Sequence, residues 1–207
     1  MSERSFCLVL SREARIVPRV RIWMLSLICV SWAAAVEPGE VVSEWVTSLP
    51  DPEAPAVAEG VTMAITASSK EVEDSVRQGL LYLHSGWDFE AYRHFSEAIE
   101  ADPNCLMAFW GVGFSLLHGS EDLAEQREAA LTRMLDLVDA GVGTDLEKRY
   151  VFGLSRLLSE GAAEAASAFA QAAEKYPNDP QLVLLKSLLG RGGFDLTGEA
   201  TPDQERA

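Results

Sequence analysis

With residues 1–35 set aside, this chain has few side chains that could do chemistry: three histidines, one cysteine and a surplus of carboxylates. His84 and His118 stand at equivalent places in two successive helical patterns. Two imidazoles joined by Glu73 or Asp122 could hold a metal ion. No short ligand spacing such as HxxxH accompanies them, so helix-end histidines in a polar rim are the plainer reading, and His94 belongs to neither pattern's end. Cys105 follows Asn104 at a helix start, where a thiol pKa can be depressed; a small buried core residue is the competing role. The chain has no Gly-rich phosphate loop, no G-x-S-x-G elbow and no Cys/His pair with orienting partners. The expectation is a protein that is not an enzyme, with no catalytic residue, no metal and no cofactor.

The elements that must position these residues are helices. Val72 to Cys105 holds two helical patterns either side of a break at Ser85-Gly86. Gly79 and Tyr82 sit on the first, Ala91, Phe95 and Ala98 on the second, and Pro103 ends the unit because proline cannot continue a helix. The small residues let two helices approach closely, and Tyr82 and Phe95 fill the space beside the contact. Gly113 follows Gly79 at the same interval that separates His118 from His84. Leu146 to Asp179 then repeats the pattern with Gly153, Ala165, Phe169, Ala172 and Pro177, while Arg156 stands where Tyr82 stood. The interval from Gly113 to Gly153 is longer than that from Gly79 to Gly113, and the excess is placed in the acidic connector around Ser120 to Glu128. The second helix of this middle unit faces inward with either Ala130, Met134 and Leu137 or Leu131, Leu135 and Val138.

That order of small, aromatic and proline residues resembles the tetratricopeptide repeat, whose period of about 34 residues matches the interval from Gly79 to Gly113. The first-helix Trp and Leu of the family are replaced here by Ser75 and Gln78. The stretch from Ile65 to Leu117, and EADPNCLMAFWG within it, is similar to a group of secreted bacterial repeat proteins of unknown function. The resemblance implies an all-α, helical-hairpin solenoid of about three repeats plus an extra helix, and it implies no chemistry. It also implies that the first helix of each repeat lines a concave face. Counting along those helices places Leu80, Leu83, His84, Met107, Trp110, Phe114, Leu117, His118, Tyr150 and Leu154 there. Repeats that clamp a peptide carboxylate need Lys and Asn at set places, which here hold Val76, Leu80, Gly111, Glu147 and Val151, so that mode is excluded. An apolar, aromatic trough remains, suited to an amphipathic helix or an extended apolar segment of a protein or peptide partner. The competing reading makes Trp110 and Phe114 ordinary core, or has them covered by the segment VTMAIT.

The rest of the chain bounds the setting. Arg12, Arg15, Arg19 and Arg21 precede the apolar run IWMLSLICVSW and Ala33-Ala34-Ala35, which reads as a secretory signal peptide over residues 1–35. The run falls short of the roughly 20 residues that span a bilayer. Cleavage then leaves no stable membrane insertion, and a retained anchor is the alternative. The expected location is exported, periplasmic or extracellular, in a bacterium. The leader holds five of the 17 basic and two of the 32 acidic residues, leaving 12 and 30, a formal charge of −18. Such a surface repels phosphate backbones, which argues against a nucleic-acid partner. Cys7 and Cys29 lie in the leader, so the mature chain has no internal disulfide.

Residues 36–69 hold Pro38, Pro50, Pro52 and Pro55 and read as an extended, acidic linker, with Trp45 and VTMAIT as a short N-terminal cap. The helical domain covers 70–190. Its predicted helices start at a Ser68/Glu71 capping box, a Thr144/Glu147 capping box and an Asp179-Pro180 start. Residues 191–207 are a polar tail whose Thr201 to Gln204 looks like another helix start, so either a longer array is shortened here or the leucine-rich last helix meets a partner. A small-molecule or metal-binding protein, or a fragment of a longer repeat protein, is the alternative to an interaction scaffold.

Overall fold

The spacing of small residues calls for helices in close contact, with Tyr82 and Phe95 beside that contact. In the computed structural model the Phe95 ring lies directly on Gly79, and Tyr82 stacks on His94. The structure describes residues 38–52, 63–118 and 121–190, all within the unit Ala34–Ala207. The leader reading over 1–35 and the Thr201–Gln204 helix start lie outside the described residues. The described residues form nine α-helices and no strand: α1 Pro38–Val41, α2 Glu44–Thr47, α3 Lys70–His84, α4 Asp88–Ala101, α5 Leu106–Ser115, α6 Ala124–Asp139, α7 Asp145–Glu160, α8 Ala162–Lys175 and α9 Pro180–Leu189. A 3-10 turn, Glu121–Leu123, leads into α6. From α3 to α6 and again from α7 to α9, each helix packs on the next; α5 also touches both α3 and α7, whereas α6 touches α7 little. None of the described helices is long and apolar enough to cross a membrane.

The boundaries follow from local chemistry. Gly86 adopts φ 73° and Gly161 φ 101°, conformations that L side chains avoid, and these two residues break α3 from α4 and α7 from α8. Thr144 and Glu147 form the predicted capping box of α7, and the Asp179 carboxylate accepts from Gln181 N and Leu182 N ahead of Pro180. The cap of α3 is displaced by one residue from the expectation. Ser69 accepts from Val72 N, while Ser68 N donates to Asp102 Oδ2 at 2.9 Å. Ser68 is thus drawn off its own helix by a carboxylate that only the tertiary structure brings near.

Phe95 is fully buried and lies between two glycines. A Cβ at Gly79 of α3 would come within 2.6 Å of Phe95 Cε1, and one at Gly111 of α5 within 2.4 Å of Phe95 Cδ1. Phe169 does the same for Gly153, at 2.3 Å from its Cζ. Ala91, Ala98, Ala165 and Ala172 are buried in these contacts, as the spacing requires. In the middle unit the partner of Gly113 is Leu131, whose Cδ2 would lie 2.9 Å from an added Cβ. Of the two registers left open for α6, the one with Ala130, Met134 and Leu137 buried is adopted, and Leu135 is exposed.

Residues 38–52 depart from the extended linker expected of a proline-rich segment. Pro38 opens α1, where its missing N–H is one the helix would not use, and Pro50 comes only after α2 has ended. Val41, Val42 and Val46 are buried in the main core. Tyr92 Oη fastens the segment by donating to the Val41 carbonyl and accepting from Ser43 N, both at 3.0 Å. Trp45, expected to cap the repeats, stacks on Phe89 with centroids 5.6 Å apart but stays half in solvent. On α9, Leu182 and Leu185 are buried, while Val183, Leu184 and Leu188 are exposed.

An alanine at position 153 gains about 1 kcal/mol of helix propensity, but overpacking a fixed ring costs about 1–3 kcal/mol. Gly153→Ala is therefore expected to lower the urea midpoint at unchanged slope, by a net of about 1 kcal/mol, with part recovered in Gly153→Ala/Phe169→Leu. A stabilised Gly153→Ala protein would contradict the contact.

Candidate functional site

The residues expected to line a concave trough are mostly core. Leu80, Met107, Trp110, Tyr150 and Leu154 are fully buried, and Leu83, Phe114 and Leu117 are half-buried; of the ten, His84 and His118 alone are exposed. Trp110 sits at the centre, 5.1 Å from the Phe114 ring and 5.6 Å edge-on to Tyr150, which in turn lies 6.3 Å from Phe169. Its indole Nε1 donates to the Tyr150 carbonyl at 3.0 Å. The reason is packing. With α5 against both α3 and α7, the faces that were to flank a trough meet one another. A buried indole with a satisfied N–H is then more favourable than one left in water.

Part of the closure comes from residues 63–69, which run as an extended strap past the helix starts. Met63 is buried. Thr66 donates to Glu147 through its N–H at 2.6 Å and its hydroxyl at 2.9 Å. Glu147 also accepts from Thr144 N at 2.7 Å and Thr144 Oγ1 at 2.9 Å, which accounts for a carboxylate with no exposed surface. Sequence reasoning found Glu147 as a capping residue and VTMAIT as a cover. It missed their bond, because an 81-residue separation leaves no local signal.

An open site remains at the edge of this closure. A cleft of about 510 Å³ is walled by Met63 and Ala64 of the strap, Arg77 of α3, Leu146 of α7 and the 175–180 loop into α9. Behind the lining, the buried Tyr150 donates to Asp179 Oδ1 at 2.6 Å; burial first, and then that bond, raise the phenol pKa well above its ordinary value. Arg77 pairs with Glu73, although its buried Nε has no partner. Lys175 Nζ lies 2.9 Å from Asp145 Oδ2, which also accepts from Tyr176 Oη at 2.7 Å and Arg149 Nε at 2.8 Å. These three donors, Tyr176 foremost, hold the Asp145 carboxyl well below the usual carboxylate range. The arrangement ties the start of α7 to the end of α8. Neither Arg77 nor Lys175 stood out in the sequence, since each is an ordinary helix-surface residue until the fold brings both to one cleft.

Among the described residues no group of three or more His, Cys, Asp and Glu is placed to hold a metal. His84 is exposed, yet burial of part of its ring lowers its pKa, opposed by the side-chain amide of Gln181 on α9. His94 is buried, stacks on Tyr82 at 5.2 Å and has Nδ1 3.6 Å from Glu97 Oε2. Cys105 has no exposed surface, and burial pushes its thiol up to about 11, the opposite of a reactive helix-start cysteine. A scan against protein-family models, a search of curated proteins and a search of solved structures each find no match to this chain.

Cys105 is expected to resist iodoacetamide at pH 8 in the folded protein and to be alkylated only after urea unfolding, read by mass spectrometry of the peptide that contains it. Glu147→Gln replaces an acceptor of four donors by a group that itself donates, at a cost of about 2–3 kcal/mol. The accompanying change is faster hydrogen exchange at the Thr66 amide; unchanged exchange there would show that Glu147 does not hold the strap.

Proposed function

We propose that the chain is a tetratricopeptide-type helical-hairpin solenoid of about three repeats plus a last helix. In this reading it is exported from a bacterial cell and acts as a non-catalytic module that binds a protein or peptide. The interval from Gly79 to Gly113, and the matched glycine–phenylalanine contacts of the first and last units, support the repeat reading. The buried Cys105 thiol, whose pKa burial raises, favours binding over catalysis at that residue.

The binding surface is moved from the apolar trough, whose residues are mostly core, to the cleft at its edge. One observation carries this. Apolar walls from Met63, Ala64, Leu146, Pro177 and Pro180 enclose the space, with Arg77, Lys175 and Asn178 on its polar side. Walls of that kind accept an extended segment. Arg77 and Lys175 each also pair with a carboxylate of the chain, yet both stay partly exposed with donors left for a segment that bears a carboxylate. The Asp179 carboxylate on the same lining is taken up by Tyr150 and the start of α9. The leader over residues 1–35 supports export, since a basic region, a short apolar run and Ala33-Ala34-Ala35 are what secretion reads.

Selection of displayed random peptides on the purified protein is expected to enrich acidic, extended sequences. Calorimetry should show at least a tenfold loss of affinity in Arg77→Ala/Lys175→Ala, equivalent to about 1.4 kcal/mol. Peptides that bind this double variant as tightly as the parent would place the interaction elsewhere and remove the cleft from the reading.

A further inference from the structure

A second recess, of about 420 Å³, shares no residue with the cleft beside Arg77 and plays no part in the reading above. It is lined by Leu49, Pro50 and Asp51, by Tyr82 and Trp87 around the α3–α4 turn, and by Phe89, Glu90 and Arg93 of α4. Three of its walls are aromatic. Two of the three rings are backed by another ring, and the third stands in solvent. Phe89 is backed by Trp45, stacked at 5.6 Å with planes 6° apart. Tyr82 is backed by His94 at 5.2 Å. Trp87 is 63 % exposed, the most exposed aromatic side chain of the described residues, and its backbone is held by donation from Trp87 N to the Tyr82 carbonyl at 2.9 Å.

The charges of the recess are unequal. Arg93 is spent: its guanidinium meets both carboxylate oxygens of Glu90, at 3.1 and 2.9 Å, and also donates to the Pro50 carbonyl. That pair cancels. Asp51 is left as the uncompensated charge at the wall, exposed and in none of the ion pairs of the described residues. Aromatic faces carry negative quadrupole potential, and with a carboxylate beside them they attract a cation that is cheap to desolvate. An inorganic ion would find too few oxygen ligands here. An anion would face ring quadrupoles and Asp51 with the one guanidinium already engaged. A neutral apolar molecule would gain contact area but nothing from Asp51.

We propose that this recess binds an organic ammonium ion, with a quaternary or otherwise alkylated nitrogen seated against Trp87, Phe89 and Tyr82 and balanced by Asp51. The formal charge of −15 on the whole chain raises the local concentration of any such cation. The same head group occurs on a free small molecule and on a methylated lysine side chain, and the recess recognises what the two share.

The test uses the full chain and calorimetric titration with tetramethylammonium, choline and the uncharged isostere 3,3-dimethylbutan-1-ol. Tetramethylammonium and choline are expected to bind saturably, with the isostere about tenfold or more weaker, in keeping with a desolvated cation–π contact. Trp87→Ala should cut cation affinity by about tenfold, Trp87→Phe should retain most of it, and Asp51→Asn should weaken the cations while leaving the isostere unchanged. Both positions are exposed, so the variants are expected to keep the parent's thermal midpoint. Phe152→Ala, an exposed aromatic on α7, is the control and should change nothing. A peptide bearing trimethyl-lysine, compared with choline, tells the two sources apart; tighter binding of either one supports the site. Equal affinity for the isostere and the cations, an unaffected Trp87→Ala, or no saturable binding overturns the proposal. None of these outcomes bears on the cleft beside Arg77, which the peptide experiment tests separately.

Discussion

A phenyl ring seated on a glycine holds this structure together. Phe95 presses on Gly79 from one side and Gly111 from the other, and Phe169 on Gly153, at separations that leave no room for even a methyl group. Helices that approach this closely exclude water from the alanines around the contact, and Ala91, Ala98, Ala165 and Ala172 are accordingly buried. Close packing at native density means that each such contact fixes the position of the helix beyond it. Phe95 alone connects three successive helices, α3, α4 and α5, so the placement of Trp110 on α5 follows from it.

The same closeness decides where open space remains. Had the helices stood farther apart, Trp110 and Tyr150 could have lined an open trough. At the observed separation they meet edge to face, and the indole donates into the backbone of α7. The strap then closes over Glu147 of α7, a buried carboxylate with four donors, two of them from Thr66. A charge without water is tolerable only when its lone pairs are filled in this way. Open space is displaced to the margins, at the cleft beside Arg77 and the aromatic recess beside Trp87.

Electrostatics follow a similar economy. A chain this acidic has few cations, and several are engaged in local pairs: Arg93 with Glu90, Arg77 with Glu73, and Lys175 and Arg149 with Asp145. Exposed pairs of this kind contribute little to stability individually. Their effect is positional. They hold loops and helix ends in place around the two recesses, and they leave Asp51 outside the ion pairs of the described residues.

The helices themselves were legible in the sequence. Capping residues, prolines after helix ends and the spacing of small and aromatic residues are local rules, and they placed the break at Ser85-Gly86, the Thr144/Glu147 box and the Asp179-Pro180 start where the structure has them. Local rules reach only as far as the next turn of helix. Whether Trp110 lies in a trough or a core, whether Ser68 or Ser69 caps α3, and whether a proline-rich segment stays extended or docks through Val41, Val42 and Val46 depended on partners far along the chain. Periodicity says which face of a helix is apolar. Only the assembled fold decides how near the opposing face comes, and hence whether that apolar surface meets water, a partner or itself.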